Sequence, residues 1–169
     1  MAYSALAVAN AFIEQGLCGN IPKLTPMKLQ KLLFFAQSWH LRKNGENAPL
    51  FDDNFARWKH GPVIPSIYHE LKMYGAGTIT QKLSNVEIGD DWEITLVTPS
   101  IPASDAEAHE LIDAIIKKYG GLTGSQLSFL THEEGTAWEM GLNNGEADGS
   151  VITWDQMARH IHPPSRMRG

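Results

Sequence analysis

Residues 25–37 are Thr25-Pro26-Met27-Lys28-Leu29-Gln30-Lys31-Leu32-Leu33-Phe34-Phe35-Ala36-Gln37. Thr25 can accept a hydrogen bond from a free amide at the start of a helix, and Pro26 fits the first helical position, where no amide donor is needed. From Leu29 onward the run is apolar on nearly every side, which is typical of a helix that is buried all round. The pattern therefore predicts a central buried helix from about Thr25 to Asn44, ended by Gly45.

Shorter elements are predicted around this helix from periodicity and capping residues. A first helix is expected from Ser4 to about Gly16. Another is expected to end at Gly75 and to have one face made of Ile64, Ile67, Tyr68 and Leu71. Three more are expected to begin at Ser104, with Glu107 completing its capping box, and at the capping boxes Thr123/Gln126 and Thr153/Gln156. Residues 79–83 and 92–97 alternate like strands, and the acidic loop 84–91 between them makes a hairpin plausible. Residues 55–59 fit a short strand or a helical turn, and Gly61-Pro62 breaks that segment.

These elements predict a mainly α protein: a single compact helical domain around a buried central helix, with a small antiparallel β-hairpin. Residues 1–161 are expected to form this domain, and residues 162–169 a flexible C-terminal tail. The 169 residues, 43% of them hydrophobic, are enough for one core. Apolar runs long enough to span a bilayer are absent from the sequence, and a lone cysteine, Cys18, fits a reducing cytoplasm.

Composition argues against nucleic acid as the main partner. The net charge is −5, whereas affinity for phosphate rests on clustered lysine and arginine. A helix-turn-helix rhythm surrounds Gly120-Gly121-Leu122-Thr123, but its candidate recognition helix, residues 125–134, has no lysine or arginine and ends in two acids. Helix-corner packing is the better interpretation of this pair.

Sequence signatures of catalysis are weak. His69-Glu70 and His109-Glu110 begin like zinc-protease motifs, but Met73 and Asp113 stand where the second histidine should be. Cys18 lies in a glycine-flanked loop and is expected to be a half-buried small residue. We therefore expect no enzyme activity, no catalytic residues, no cofactor and no metal.

A partner-binding surface is the remaining hypothesis. Trp58 stands beside Arg57, Lys59 and His60 on a turn fixed by Gly61-Pro62, and it is the tryptophan expected to be partly exposed rather than core. Lys28 and Lys31, near the start of the central helix, form either a solvated helix end or a basic patch that meets an acidic partner. The candidate contact residues are Lys28, Lys31, Arg57, Trp58, Lys59 and His60.

Three blocks of sequence carry a family resemblance. They are Thr25-x-Met27-Lys28-Leu29-Gln30-Lys31-Leu32-Leu33-Phe34-Phe35-Ala36-Gln37, then Pro49-Leu50-Phe51 with Ala56-x-Trp58-x-x-Gly61-Pro62-Val63-x-Pro65-x-Ile67-Tyr68, and then Leu127-Ser128-x-Leu130-Thr131-His132-x-Glu134-x-x-x-Trp138. Together they resemble the Panacea antitoxin domain, also described as SocA-like or phage-associated GepA-like. Phe34 and His60 depart mildly from the family's usual residues, which leaves partner specificity open.

The resemblance implies a non-enzymatic antitoxin of a type II-like toxin–antitoxin pair, which neutralises a cognate protein toxin, encoded in the adjacent gene, by direct binding. Two alternatives stay open: a proteolytic adaptor that delivers a toxin or another protein to a AAA+ protease, and a nucleic-acid-binding regulator. From the lone cysteine and the lack of a bilayer-spanning run, we expect a cytoplasmic protein without a membrane partner.

Overall fold

The computed structural model describes residues 2–167 and is arranged around helix α2. Its helices are α1 (Ala5–Leu17), α2 (Pro26–Asn44), α3 (Pro65–Leu71), α4 (Ala106–Tyr119), α5 (Gly124–His132), α6 (Trp154–Arg159) and α7 (Pro164–Met167), with short 3-10 helices at Lys72–Tyr74 and Glu139–Gly141. The strands are β1 (Phe55–Trp58), β2 (Gly61–Val63), β3 (Asn85–Ile88), β4 (Ile94–Val97) and β5 (Val151–Ile152). The predicted class, mainly α with a minor antiparallel β component, is confirmed.

Helix α2 is buried along most of its length. Every residue from 28 to 38 is buried, and α1, α3, α4, α5, α6 and strand β2 pack around the helix. The Thr25 hydroxyl accepts a hydrogen bond from the Lys28 amide at 3.2 Å, Pro26 takes the first position, and Gly45 ends the helix at φ 107°. The prediction of a central buried helix with these two ends is confirmed.

Polar side chains of α2 join the surrounding segments to it. The Gln30 carboxamide donates to the Ile64 carbonyl at 3.1 Å and accepts from the Ile64 amide at 2.9 Å. About two turns further on, Gln37 donates to Phe51 O at 2.6 Å and accepts from Leu50 N at 2.7 Å. Buried backbone groups need hydrogen-bond partners, and these glutamines supply the hydrogen bonds that a neighbouring strand or helix would otherwise make to the irregular segments.

A three-stranded antiparallel sheet, in the order β2-β1-β5, covers one side of α2. Its register pairs Ala56 with Val63 and Trp58 with Gly61. The short strand considered for residues 55–59 is present as β1, and it ends before Gly61-Pro62 as expected; the second strand that Gly61 begins was not predicted. A Cβ on Gly61 would lie 2.8 Å from Lys31 Cε, and its φ of 116° favours glycine, so this turn requires glycine for two reasons.

The second hairpin differs from the predicted one in its first strand, whereas its second strand lies within the predicted residues 92–97. Its strands are β3 and β4, so the expected acidic loop supplies the first strand, and residues 79–83 have no strand. Ile79 and Leu83 are buried against the body of the protein instead. Buried Asn10 explains this, because its side chain accepts from Leu83 N at 2.7 Å and donates to Leu83 O and Pro99 O at 2.8 Å.

Capping predictions are mostly confirmed. Ser4 caps α1, and both capping boxes, Thr123/Gln126 and Thr153/Gln156, are present. Helix α4 differs, because its cap is Asp105, whose carboxylate accepts from Ala108 N at 3.1 Å, and not Ser104. A carboxylate at the positive end of the helix dipole accounts for the one-residue difference.

His162, which the sequence placed in a loose tail, is buried. Its ring stacks on Phe35 with centroids 5.3 Å apart, and its Nε2 lies 2.7 Å from the Tyr119 hydroxyl oxygen, which accepts a hydrogen bond from Trp39 Nε1. Burial lowers the pKa of His162 to about 4, so the ring stays neutral. Arg168 and Gly169, the end of the predicted tail, lie outside the described residues.

The Gln30 contacts give a test of the central helix. We expect Gln30→Met, which keeps the volume but leaves both Ile64 backbone groups unpaired, to lower the free energy of unfolding by about 2–4 kcal/mol in urea titration. Gln81→Met, at an exposed glutamine, is the matched control and should stay within about 0.5 kcal/mol of the parent. Equal losses in the two variants would contradict the role given to Gln30.

Candidate partner-binding site

Three of the six candidate contact residues are inside the protein. Lys28, Lys31 and Arg57 are exposed by only 2%, 1% and 3%, so the expected basic edge of the central helix is wrong. The reason is the packing of α2 itself, because a helix enclosed on all sides leaves no polar edge. Their side chains instead donate hydrogen bonds to backbone carbonyls.

Lys28 closes the end of helix α4. Its ammonium donates to Gly120 O and to Pro22 O, both at 2.6 Å. Gly120 is the C-cap of α4, where carbonyls lack helical partners and the helix dipole favours a cation. Burial lowers the pKa of Lys28.

Lys31 lies beneath the β1–β2 turn. Its ammonium donates to Pro62 O at 3.1 Å, and its side chain fills the space against which Gly61 packs. Burial lowers the pKa of this lysine to about 7. Lys31 therefore supports the turn from inside.

Arg57 joins β1 to the segment 137–151 and to α6. Its guanidinium makes five hydrogen bonds at 2.8–3.1 Å, which go to Trp138 O, Ser150 Oγ, Val151 O, Ala137 O and Gln156 Oε1. A Cβ on Gly141 would lie 2.0 Å from its Cζ, so a glycine is needed where the backbone passes this group. The planar fork of arginine suits such a set of acceptors, and lysine could not replace it.

The other three candidates, Trp58, Lys59 and His60, form the β1–β2 turn, where Lys59 and His60 are exposed and Trp58 is half-buried. Side chains from the third block of the resemblance hold this turn. Trp138 Nε1 donates to Trp58 O at 3.0 Å, His132 Nε2 lies 3.1 Å from Lys59 O, and Ser128 Oγ donates to His60 O.

Because these side chains contact the carbonyls of the turn, its backbone is fixed, whereas Lys59 and His60 remain exposed to solvent. The structure thus brings the second and third sequence blocks together around one rigid corner. We call residues 58–60 the basic corner.

Two aromatic residues near the basic corner were not identified from the sequence as surface residues. Tyr68 was expected on the inner face of its helix, but it is 39% exposed, with its ring 4.9 Å from that of Trp58. Phe129, on the same helix as Ser128, is 67% exposed. The exposure of these two residues could not be inferred from the sequence, because it depends on how α3, α5 and the turn pack together.

Trp92 is a further exposed residue that the sequence did not single out. It is 82% exposed at the tip of the β3–β4 hairpin, well above the half-buried Trp58. Cys18 is exposed and not half-buried. Within residues 2–167, no group of three or more His, Cys, Asp or Glu side chains is placed to hold a metal ion.

In the described part of the chain, no helix combines the length and apolar character that crossing a bilayer requires. The fold and its corner define a helical module in which interior cations anchor loops and one fixed turn offers polar and aromatic side chains.

Comparison with known proteins gives this module a family. Residues 29–139 match the family described as "Antitoxin SocA-like, Panacea domain". The protein named Antitoxin SocA, from Caulobacter vibrioides (strain NA1000 / CB15N), is 31% identical over 136 residues, which cover 80% of this chain and 69% of that protein. The chain belongs to the SocA-like Panacea domain family. No solved structure matches it.

Lys31 gives a pH test of the buried cations. The unfolded chain keeps the lysine proton up to a pKa of about 10.4, whereas the folded protein releases it near pH 7. Between these values the unfolded state binds more protons, so stability should rise with pH by at most about 1.4 kcal/mol per unit. Urea titrations from about pH 7 to about pH 9.5 should show this rise in the parent relative to Lys31→Met. Parallel profiles would contradict the assignment.

Proposed function

We propose that this protein is an antitoxin that neutralises a cognate protein toxin by direct binding. The observation that carries the proposal is family membership across residues 29–139, which include α2 from Leu29 onward, the basic corner and α5. The named relative, an antitoxin, extends the similarity over 80% of this chain. The match therefore covers the very elements that build and support the exposed turn.

The architecture favours binding over catalysis. Interior polar groups such as Gln30, Gln37 and Arg57 are engaged with backbone atoms of neighbouring segments. A rigid surface of this kind loses little conformational entropy when a partner docks, which favours affinity.

Basic-corner side chains are suited to an interface. Tryptophan and tyrosine contribute large contact areas at few rotatable bonds, and the Trp58–Tyr68 pair is already packed in an edge-to-face arrangement. Lys59 and His60 beside it can meet acidic groups of a partner at the rim. We propose that this corner contacts the toxin, whereas Lys28, Lys31 and Arg57 act only by holding the fold.

Co-expression tests the function directly. We expect the polypeptide encoded by the adjacent open reading frame to arrest growth alone, to be harmless with this protein present, and to co-purify with it. A neighbour that is harmless alone, or one that stays toxic in the presence of this protein, would contradict the proposal. Neutralisation that needs a AAA+ protease and lowers the toxin level would instead indicate a proteolytic adaptor.

The double variant Lys59→Ala/His60→Ala tests the corner. Because neither side chain is buried, we expect an unchanged melting temperature and a rise of about tenfold in the Kd for the co-purified toxin. Isothermal titration calorimetry measures the Kd of the parent and of the double variant for the same toxin sample. Lys117→Ala, at an exposed lysine of α4, is the control and should bind like the parent. Unchanged affinity in the double variant would remove the corner from the interface.

A further inference from the structure

The β3–β4 hairpin exposes one wholly apolar face. Its register pairs Val86 with Leu96 and Ile88 with Ile94, and residues directly opposite each other share a face of the sheet. These four side chains are 62–73% exposed, while the other face carries Glu87 and Thr95. An isolated two-stranded hairpin is at best marginally stable in water, so an uncovered apolar face of this size marks a binding surface.

The tip of the hairpin holds a tryptophan where glycine is the usual residue. Trp92 N donates to Gly89 O at 3.0 Å, which closes a tight turn, and Trp92 itself has φ 64°. Hairpins with this loop normally place glycine at the left-handed position, because a bulky side chain is strained there. The Trp92 side chain is 82% exposed and so adds little to the packing of the fold, although its backbone is strained, which points to a contact outside the molecule.

The stem of the hairpin is fixed to the body. Buried Asn10 bonds Leu83 on one side and Pro99 on the other, and the hydroxyls of Ser84 and Thr98 are 2.7 Å apart. Leu83 and Ile101 anchor the two flanking segments in the core. The hairpin therefore projects from a clamped base, with its apolar face open to solvent.

Charge on the hairpin defines the chemistry of its partner. Residues 84–98 contain Glu87, Asp90, Asp91 and Glu93 and no lysine, arginine or histidine. This segment of net charge −4 belongs to a chain whose net charge is −5. A second copy of the chain would bring like charges together, whereas a basic protein surface would complement them.

We propose that the β3–β4 hairpin is a second docking element for the toxin, and that it seats its apolar face and Trp92 in an apolar recess rimmed by lysine and arginine. The inference rests on the proposed function and adds the surface and the chemistry of the partner. Aromatic and aliphatic side chains fill the recess, the acids at the tip meet its rim, and Glu87 on the opposite face adds to the negative potential that attracts a basic partner.

Ile88→Thr/Trp92→Gly/Leu96→Thr tests the apolar face. Threonine retains strand propensity, and glycine relieves the left-handed position, so circular dichroism and the melting temperature should match the parent. We expect the Kd for the co-purified product of the adjacent gene to rise by about tenfold or more. Met73→Ser, at a methionine that is 79% exposed outside the hairpin, is the control and should leave the Kd unchanged.

The variant Glu87→Gln/Asp90→Asn/Glu93→Gln tests the acidic rim separately. In stopped-flow mixing, the association rate of the parent should fall steeply as NaCl rises from about 50 to about 500 mM, and the variant should associate more slowly with a shallower salt dependence. A salt profile identical to that of the parent would contradict a basic recess.

Outcomes separate the two proposals. If the apolar-face variant binds the toxin with the same Kd as the parent, this inference is overturned and the proposed function still stands. Failure of the parent itself to bind the toxin contradicts the proposed function and, with it, the inference. Sedimentation of the parent alone as a dimer that the apolar-face variant abolishes would assign the hairpin to a second copy and overturn the proposal.

Discussion

Hydrogen bonds from buried side chains of α2 to the backbone of the segments around it are the constraint on which this structure depends. Gln30 and Gln37 each pair with an amide and a carbonyl, and Lys28 and Lys31 each serve carbonyls that no strand or helix satisfies. An unpaired backbone group inside the protein costs about 1–3 kcal/mol, so these contacts decide where each loop lies. Arg57 extends the same principle to the segment 137–151.

Lysine and arginine side chains are consequently used inside the molecule as hydrogen-bond donors. Buried lysine and arginine are costly when they lack partners, and here their donors reach carbonyls at helix ends and turns. These buried side chains stabilise the packing around α2, and the surface available to a partner consists of side chains that take no part in that packing. Two such places stand out: the basic corner at residues 58–60 and the β3–β4 hairpin, one basic and aromatic, the other acidic and apolar.

Prediction from sequence worked where local chemistry decides the outcome. Thr25, Pro26 and the continuous apolar run were enough to place α2, and the resemblance drawn from the same residues agrees with the family match. It failed where tertiary contacts decide: a buried lysine and a solvated one look alike in sequence, and only the packing of α2 distinguishes them. Hairpin register was also missed, because Asn10 holds Leu83 from another part of the chain. The exposure of Trp92 depends on that register.

Amide hydrogen–deuterium exchange in the free protein and in its toxin complex tests the central claim most directly, namely a rigid α2 frame with binding confined to its surface. Amides of residues 29–38 should be the slowest to exchange and should change little on binding, because they open only with global unfolding. New protection should appear at residues 58–60 and 85–97. Fast exchange along α2, or toxin-induced protection restricted to other parts of the chain, would contradict the account.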